Sequence, residues 1–262
     1  MKIAALFLLS FSPLYLFSQT DFTVAAGAQR TLTAAERTLS LKTLSLGDNC
    51  VIIIPQNMDG WTVTATDASI GTGVKIMGRG VDGFHGGLGG SAASAANCMA
   101  GMNGGSGANG ANGTAGKSVS LNLKIRKIGS LLIDVAGGNA GRGGGGGTGG
   151  KGGDATCTCN AGAGGNGGNG GRGGNGGYGG NVTISYSVLG KAVVSAGSFT
   201  IQNNGGALGV GGASGMGGSG GKGITCSDLK SAVRLAGANG NSGRPGAPGV
   251  AGGKGVATIQ SK

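Results

Sequence analysis

Four of the five cysteines are the residues whose type and spacing best suit specific chemistry. Cys98, Cys157, Cys159 and Cys226 lie in three separate interruptions of a Gly-rich sequence. In an exported chain such thiols form disulfides, whereas a Cys-Thr-Cys group could also bind zinc through its thiolates. The one histidine, His85, lies elsewhere in the repeats. We therefore expect structural disulfides and no metal site.

Two disulfides would use these four thiols. We expect one disulfide between Cys98 and a member of the Cys157/Cys159 pair, and the other between Cys226 and the remaining member. This would link all three interruptions at one end of the Gly-rich region. Counting cysteines leaves open which member of that pair each one joins. The fifth cysteine, Cys50, precedes an apolar run and is expected to be buried.

Catalytic chemistry has little support in the sequence. One histidine and one glutamate, Glu36, leave few groups for acid–base catalysis. Gly116-Lys117-Ser118 resembles the end of a phosphate-binding loop, but Ala111 stands where that motif has its first glycine. We predict that the protein is not an enzyme, and we assign no catalytic, cofactor-binding or metal-binding residue.

The first residues, 1–18, have the composition of a signal peptide. Lys2 is followed by the apolar runs Ile3 to Leu9 and Leu14 to Phe17, and cleavage is expected before Gln19. No later stretch approaches the roughly 20 consecutive apolar residues that a spanning helix needs. We therefore expect a secreted or cell-surface protein that does not span a membrane.

Basic residues exceed acidic ones. The chain has 20 Lys and Arg against nine Asp and Glu, and a formal net charge of +11. Such a surface favours an anionic glycan, lipopolysaccharide or a cell-surface receptor, and we predict no specific nucleic-acid binding. The charge can equally serve to keep a Gly-rich chain in solution. Both interpretations stay open.

Alternating apolar residues predict short strands on both sides of each Gly-rich excursion. The N-terminal region, 19–80, should contain strands at Thr38 to Leu46, Val51 to Ile54, Trp61 to Thr66 and Val74 to Ile76. Further strands are expected in 118–135, 182–203 and 256–262. They would form an all-β scaffold, either a small sheet or the rungs of a short β-solenoid.

Glycine dominates residues 81–255 and accounts for 66 of the 262 residues. It recurs at every third position in three excursions, each with an outward run, an interruption and a return run. A left-handed extended helix has three residues per turn, so this period keeps one edge glycine and lets neighbouring backbones form hydrogen bonds. We predict three hairpins that form a polyglycine II six-helix bundle.

Collagen and disorder are the two alternatives to such a bundle. Collagen needs far more than the four prolines present, and only residues 243–249 look collagen-like. Disorder is the stronger rival, because glycine is entropically costly to order. The unbroken period and the hairpin arrangement favour an ordered structure.

The Gly-Gly-X runs and the Gly-Ala-Pro-Gly sequence at 246–249 resemble the antifreeze protein of snow fleas. Hairpins with non-Gly tips resemble the receptor-binding adhesin of certain phage long tail fibres, and the runs are similar in kind to glycine-rich repeats of mycobacterial surface proteins. The resemblance covers about residues 80–255. It implies polyglycine II helices in a secreted protein and, from the snow-flea family, ice binding.

The interruptions Ser91 to Ala100, Asp154 to Ala161 and Ile224 to Ala236 are the candidate contact loops, because loops on a rigid scaffold usually carry binding. The predicted contacts are Met99, Asp154, Asp228, Leu229, Lys230 and Arg234. We predict an adhesin-like protein that presents these tip loops to an anionic glycan or a cell-envelope partner. A structural spacer or matrix protein is the alternative. Ice binding ranks third because Gly-Gly-X positions such as Arg142 and Lys151 are charged.

Overall fold

The computed structural model describes residues 21–227 and 232–262. The predicted signal peptide, 1–18, therefore lies outside the described residues, and so do three of the predicted tip contacts, Asp228, Leu229 and Lys230. Within the described ranges, no helix is long and apolar enough to cross a membrane.

Strands supply nearly all of the regular structure in the described ranges. A single-turn 3-10 helix at Ala34–Glu36 lies between the second and third strands. The strands are β1 Asp21–Val24, β2 Gln29–Thr31, β3 Thr38–Leu46, β4 Val51–Ile53, β5 Gly60–Ile70, β6 Val74–Met77, β7 Ser118–Ile128, β8 Leu131–Asp134, β9 Val182–Val188, β10 Phe199–Gln202, β11 Ile224–Cys226, β12 Ala232–Arg234 and β13 Ala257–Ser261.

Two parallel sheets form the scaffold. The first sheet has the order β1-β3-β5-β7-β9-β13, and the second has the order β10-β8-β6-β4-β2. The chain places one strand in the first sheet and the next in the second, so that successive pairs stack as rungs. Of the two predicted scaffolds, the structure therefore has the β-solenoid. A third sheet is the antiparallel pair β11 and β12.

The two scaffold sheets share one apolar core. Trp61 and Phe22 of the first sheet have ring centroids 5.9 Å apart and are almost fully buried. Ile52, Ile76 and Leu131 of the second sheet belong to the same buried cluster. Because alternate residues of a strand point to one face, the alternation in sequence becomes this core, whose burial is the main stabilisation of the scaffold.

The predicted polyglycine II six-helix bundle is wrong as the fold class. The structure is built from three β-sheets, and its described residues contain no helix beyond Ala34–Glu36. Regular elements form where apolar side chains can be buried between the sheets, and glycine contributes no side chain to such a core. The all-β scaffold of the prediction is confirmed.

The Gly-rich residues form six extended segments, numbered here in chain order. These segments are 78–97, 99–117, 135–154, 160–181, 203–223 and 235–256. Segments 1, 3 and 5 leave the ends of β6, β8 and β10, whereas segments 2, 4 and 6 lead into β7, β9 and β13. Main-chain hydrogen bonds join the segments at every third residue, so the peptide groups find partners although no helix or strand is formed.

The segments lie in two layers. In one layer Gly83 N–H donates to Asn139 O at 2.7 Å, which joins segment 1 to segment 3, and similar bonds join segment 3 to segment 5. In the other layer Gly104 N–H donates to Asn166 O at 2.8 Å, which joins segment 2 to segment 4, and segment 4 is joined to segment 6 likewise. Each layer thus continues one of the two parallel sheets.

Candidate functional site

The three interruptions meet at the end of the Gly-rich region, and we call this group of loops the tip. Disulfides join Cys98 to Cys159 and Cys157 to Cys226, with Cα atoms 5.9 and 5.7 Å apart. Two disulfides were predicted, and the structure supplies the pairing that the sequence left open. Cys50 is free and fully buried, and burial raises the pKa of its thiol.

The predicted tip contacts differ in their surroundings. Met99 is 62% exposed. The Asp154 carboxylate accepts hydrogen bonds from Lys151 Nζ at 2.9 Å and from the Lys222 main-chain N–H at 2.8 Å, and these lower its pKa. Arg234 donates to the main-chain oxygen of Cys157 at 2.9 Å. Asp154 and Arg234 thus have partners within the tip, and their contact with a ligand stays a prediction.

A second surface lies on the outer side of segments 2, 4 and 6, and we call it the amide face. Its asparagine side chains link neighbouring segments in rows. Asn103 Oδ1 accepts a hydrogen bond from the main-chain N–H of Asn166 at 2.8 Å. Asn166 Oδ1 accepts one from the N–H of Asn241, also at 2.8 Å. The rows therefore fix the register of the three segments.

The same contact recurs along the amide face. Its other acceptors are the Oδ1 atoms of Asn109, Asn112, Asn169, Asn175 and Asn181, whose donors are main-chain N–H groups of the next segment. Because each side-chain oxygen is held in this way, the assignment of the amide is fixed and its NH2 group is left as a donor. Asn166, Asn169, Asn175 and Asn181 are exposed to solvent.

All charged residues of the amide face are basic. Arg172 and Arg244 are exposed and form no ion pair with a carboxylate of the described ranges. The contributing stretches 103–125, 166–188 and 241–262 contain no Asp or Glu. The opposite side, on segments 1, 3 and 5, mixes both signs, as the ion pair of Lys151 and Asp154 illustrates.

The amide face continues into the first sheet without a change of register. Asn103 and Asn166 are 63 residues apart, as are the paired strand residues Val119 and Val182. The separation of 75 between segments 4 and 6 likewise equals that between Val182 and Ala257. Outward hydroxyl residues of the paired strands, among them Ser120, Thr183 and Thr258, extend the polar surface beyond the asparagines.

Tyr178 is the exposed aromatic ring of the amide face. It is 69% exposed, and Gly253 on the adjoining segment lies beneath one edge of its ring. A shallow depression of about 230 Å³ lies on the same face, between segments 2 and 4. Its lining residues are Asn109, Gly110, Asn112, Arg172, Gly173 and Asn175.

The amide face is not among the sites predicted from the sequence. The signal was present, because asparagines recur 63 residues apart at the same spacing as the strands β7 and β9. Comparing the chain with itself at that single offset would have aligned Asn103 with Asn166 and Asn112 with Asn175.

No family model and no curated protein matches this chain. Among solved structures, it shows a weak similarity to a springtail antifreeze protein from Granisotoma rainieri, described as a nine polyproline type II helical bundle. The identity is 23%, and the match covers 69% of this chain and 96% of that chain. The TM-score of 0.09 means that the two folds do not superpose, so the similarity supports no argument about function.

Proposed function

We propose that this is an extracellular, non-enzymatic binding protein for an anionic glycan of a cell envelope. The observation that supports this most is a surface of hydrogen-bond donors and of cations that form no ion pair within the described ranges. Arg172 and Arg244 are exposed there, and the residues around them include no carboxylate. Clustered charge of one sign attracts a polyanion and raises its rate of association.

An extracellular location fits the covalent chemistry of the chain. The two disulfides at the tip persist in oxidising compartments and are rare in the cytosol. The composition of residues 1–18 supports export. In this proposal the tip loops, with Met99 exposed, are the second surface at which a partner could bind.

A structural spacer is the second candidate function. It is favoured by the hydrogen bonds that join all six Gly-rich segments and place the tip away from the sheets. A spacer would need no selectivity for ligands. It should therefore bind acidic and neutral glycans equally weakly, and it should tolerate replacement of the tip loops.

The test compares the binding of glycans of different charge to the chain that begins at Gln19. Immobilised acidic polysaccharides, lipopolysaccharide and neutral polysaccharides are each titrated with protein at low and at high salt. We expect saturable binding to acidic ligands that weakens as salt screens the charges. Equal and weak retention on every polymer would refute the binding function and favour the spacer.

A further inference from the structure

We propose that the amide face is the ligand site and that its ligand is an extended acidic polysaccharide lying across the rows of segments 2, 4 and 6. This rests on the proposed function, since it names the surface and the ligand class for the same binding activity. Three features of the face support it: its donors, its charge and its shape.

The donors are pre-organised by the fold. Asn109, Asn169 and Asn175 each use Oδ1 to accept a main-chain N–H at 2.8, 2.8 and 2.9 Å. Their Nδ2 atoms have no hydrogen-bond partner in the described part of the chain. A side chain already fixed by its neighbour loses little rotamer freedom when it binds, which lowers the cost of association. Fixed amide donors suit carboxylate and hydroxyl oxygens.

The charges select an acidic polymer over a neutral one. Arg172 lies in the Asn109 row and Arg244 in the Asn169 row, because their main-chain N–H groups donate to those asparagines. Both arginines are exposed on the same face as the amide donors. Arginine binds carboxylates through two parallel N–H groups, and such charge-assisted bonds are about twice as strong as neutral ones. Lys124 and Lys262 carry the same charge into the adjoining strands.

The shape favours a polymer over a small ligand. The depression beside Arg172 is shallow, so a small molecule would stay mostly in water, whereas binding pockets bury most of a small ligand. The rows instead repeat along the segments and continue onto Ser120 and Thr183 of the first sheet. A chain with a carboxylate on successive sugars could contact several rows together, and the ring of Tyr178 could pack against the C–H face of one sugar.

Single-stranded nucleic acid is the competing polyanion. Proteins that bind it without sequence preference stack successive bases on several aromatic rings. The three stretches that form the amide face offer a single exposed aromatic ring, Tyr178. The surrounding amides and hydroxyls match the oxygens of a sugar polymer better than they match bases.

The test uses substitutions that keep the main-chain contacts. Asn169→Asp with Asn175→Asp retains both acceptor oxygens, for the N–H groups of Arg244 and Val250, but replaces the two donors with negative charges. The matched control is Asn139→Asp on the opposite face, whose Oδ1 accepts the N–H of Ala207 in the same way. Thermal melts of all variants verify that the fold is retained.

Binding to polygalacturonate is measured by calorimetry, with neutral dextran and single-stranded DNA as reference polymers. We expect N169D/N175D to bind polygalacturonate about ten-fold or more weaker, and N139D to bind like the parent protein. If the parent binds no acidic polysaccharide, the proposed function itself fails. If the parent binds but N169D/N175D binds equally well while Met99→Ala does not, the tip is the site and the amide-face proposal fails.

Three further outcomes would overturn the inference. Tighter binding to DNA than to polygalacturonate at matched charge would identify a nucleic-acid surface. Shaping of ice crystals by a protein that binds neither polymer would identify ice as the ligand of the amide face. An unchanged affinity in Arg172→Gln with Arg244→Gln, measured beside Arg142→Gln of the opposite face, would also contradict it.

Discussion

Asn109 Oδ1 accepts a hydrogen bond of 2.8 Å from the main-chain N–H of Arg172, 63 residues further along the chain. This contact fixes the register of segment 2 against segment 4 and turns the amide NH2 of Asn109 into an available donor. It also places Arg172, which has no ion pair in the part of the chain that the structure describes, in the next segment of the same face. Structural order and the candidate binding chemistry therefore depend on the same side chains.

Adjacent glycines of segment 1 should differ in their tolerance of a methyl group. A Cβ on Gly86 would overlap the carbonyl oxygen of Ala108, whereas no atom lies within 4 Å of a Cβ on Gly87. Gly86→Ala should lower the free energy of unfolding by about 1–3 kcal/mol. Gly87→Ala should leave it unchanged or slightly raised. Denaturant titration of both variants checks this, and equal effects would contradict the close packing of segments 1 and 2.

Removing the disulfide of Cys157 and Cys226 should destabilise the tip. The bond closes a loop between residues 69 apart, and a disulfide of this kind typically contributes about 2–4 kcal/mol. Cys157→Ala with Cys226→Ala should lower the melting temperature. Addition of reductant should lower the melting temperature of the variant by less than it lowers that of the parent protein. A melting temperature that neither the substitution nor the reductant changes would argue against a stabilising role.

Acidification should weaken the base of the tip through Asp154. Two hydrogen bonds hold the pKa of Asp154 below the usual 3.8: the larger effect comes from Lys151 and the smaller from the Lys222 N–H. A lowered folded-state pKa stabilises the protein above the unfolded-state value, and this stabilisation is lost as the pH falls below about 4. Asp154→Asn should reduce the fall of the melting temperature as the pH decreases below about 4, and Lys151→Gln should do so in part. The prediction fails if the melting temperature of the Asn variant depends on pH as steeply as that of the parent protein.

Tyr178 should contribute to glycan binding beyond the charges. Its ring is 69% exposed on the amide face, whereas Phe84 is 83% exposed on segment 1 of the other layer. Tyr178→Ala should weaken polygalacturonate binding about two- to ten-fold, the range of an aromatic packing contact. Phe84→Ala serves as the matched control and should bind normally. Equal losses in both variants would indicate a general effect on solubility or fold.

The strands of the scaffold could be predicted from the sequence because their core is apolar and alternating. Leu39, Leu41, Leu44 and Leu46 gave the bounds of β3, and similar patterns located β5 and β7. Alternation reports which residues face a core, so it also indicated a solenoid or a small sheet. It cannot report which of these two forms.

The arrangement of the Gly-rich segments could not be predicted in the same way. A glycine at every third position indicates that another backbone can pack closely against the segment, but it does not determine which segments are neighbours. That choice depends on the order of the strands to which the segments are attached, such as β7 beside β9. The donors of Asn109 and Asn175 become visible only when the neighbouring N–H groups are placed. The predicted helix bundle was wrong because it was inferred from the glycine period alone, whereas the regular elements form where apolar side chains are buried between the sheets.

The most direct test of the amide face is a titration of the isotopically labelled protein with oligogalacturonate, followed by NMR of the side-chain amides. We predict that the NH2 signals of Asn109, Asn169 and Asn175 shift together and saturate, while that of Asn139 stays in place. Shifts confined to Asn139, or to main-chain signals of the tip around Met99, would contradict the assignment of the amide face as the ligand site.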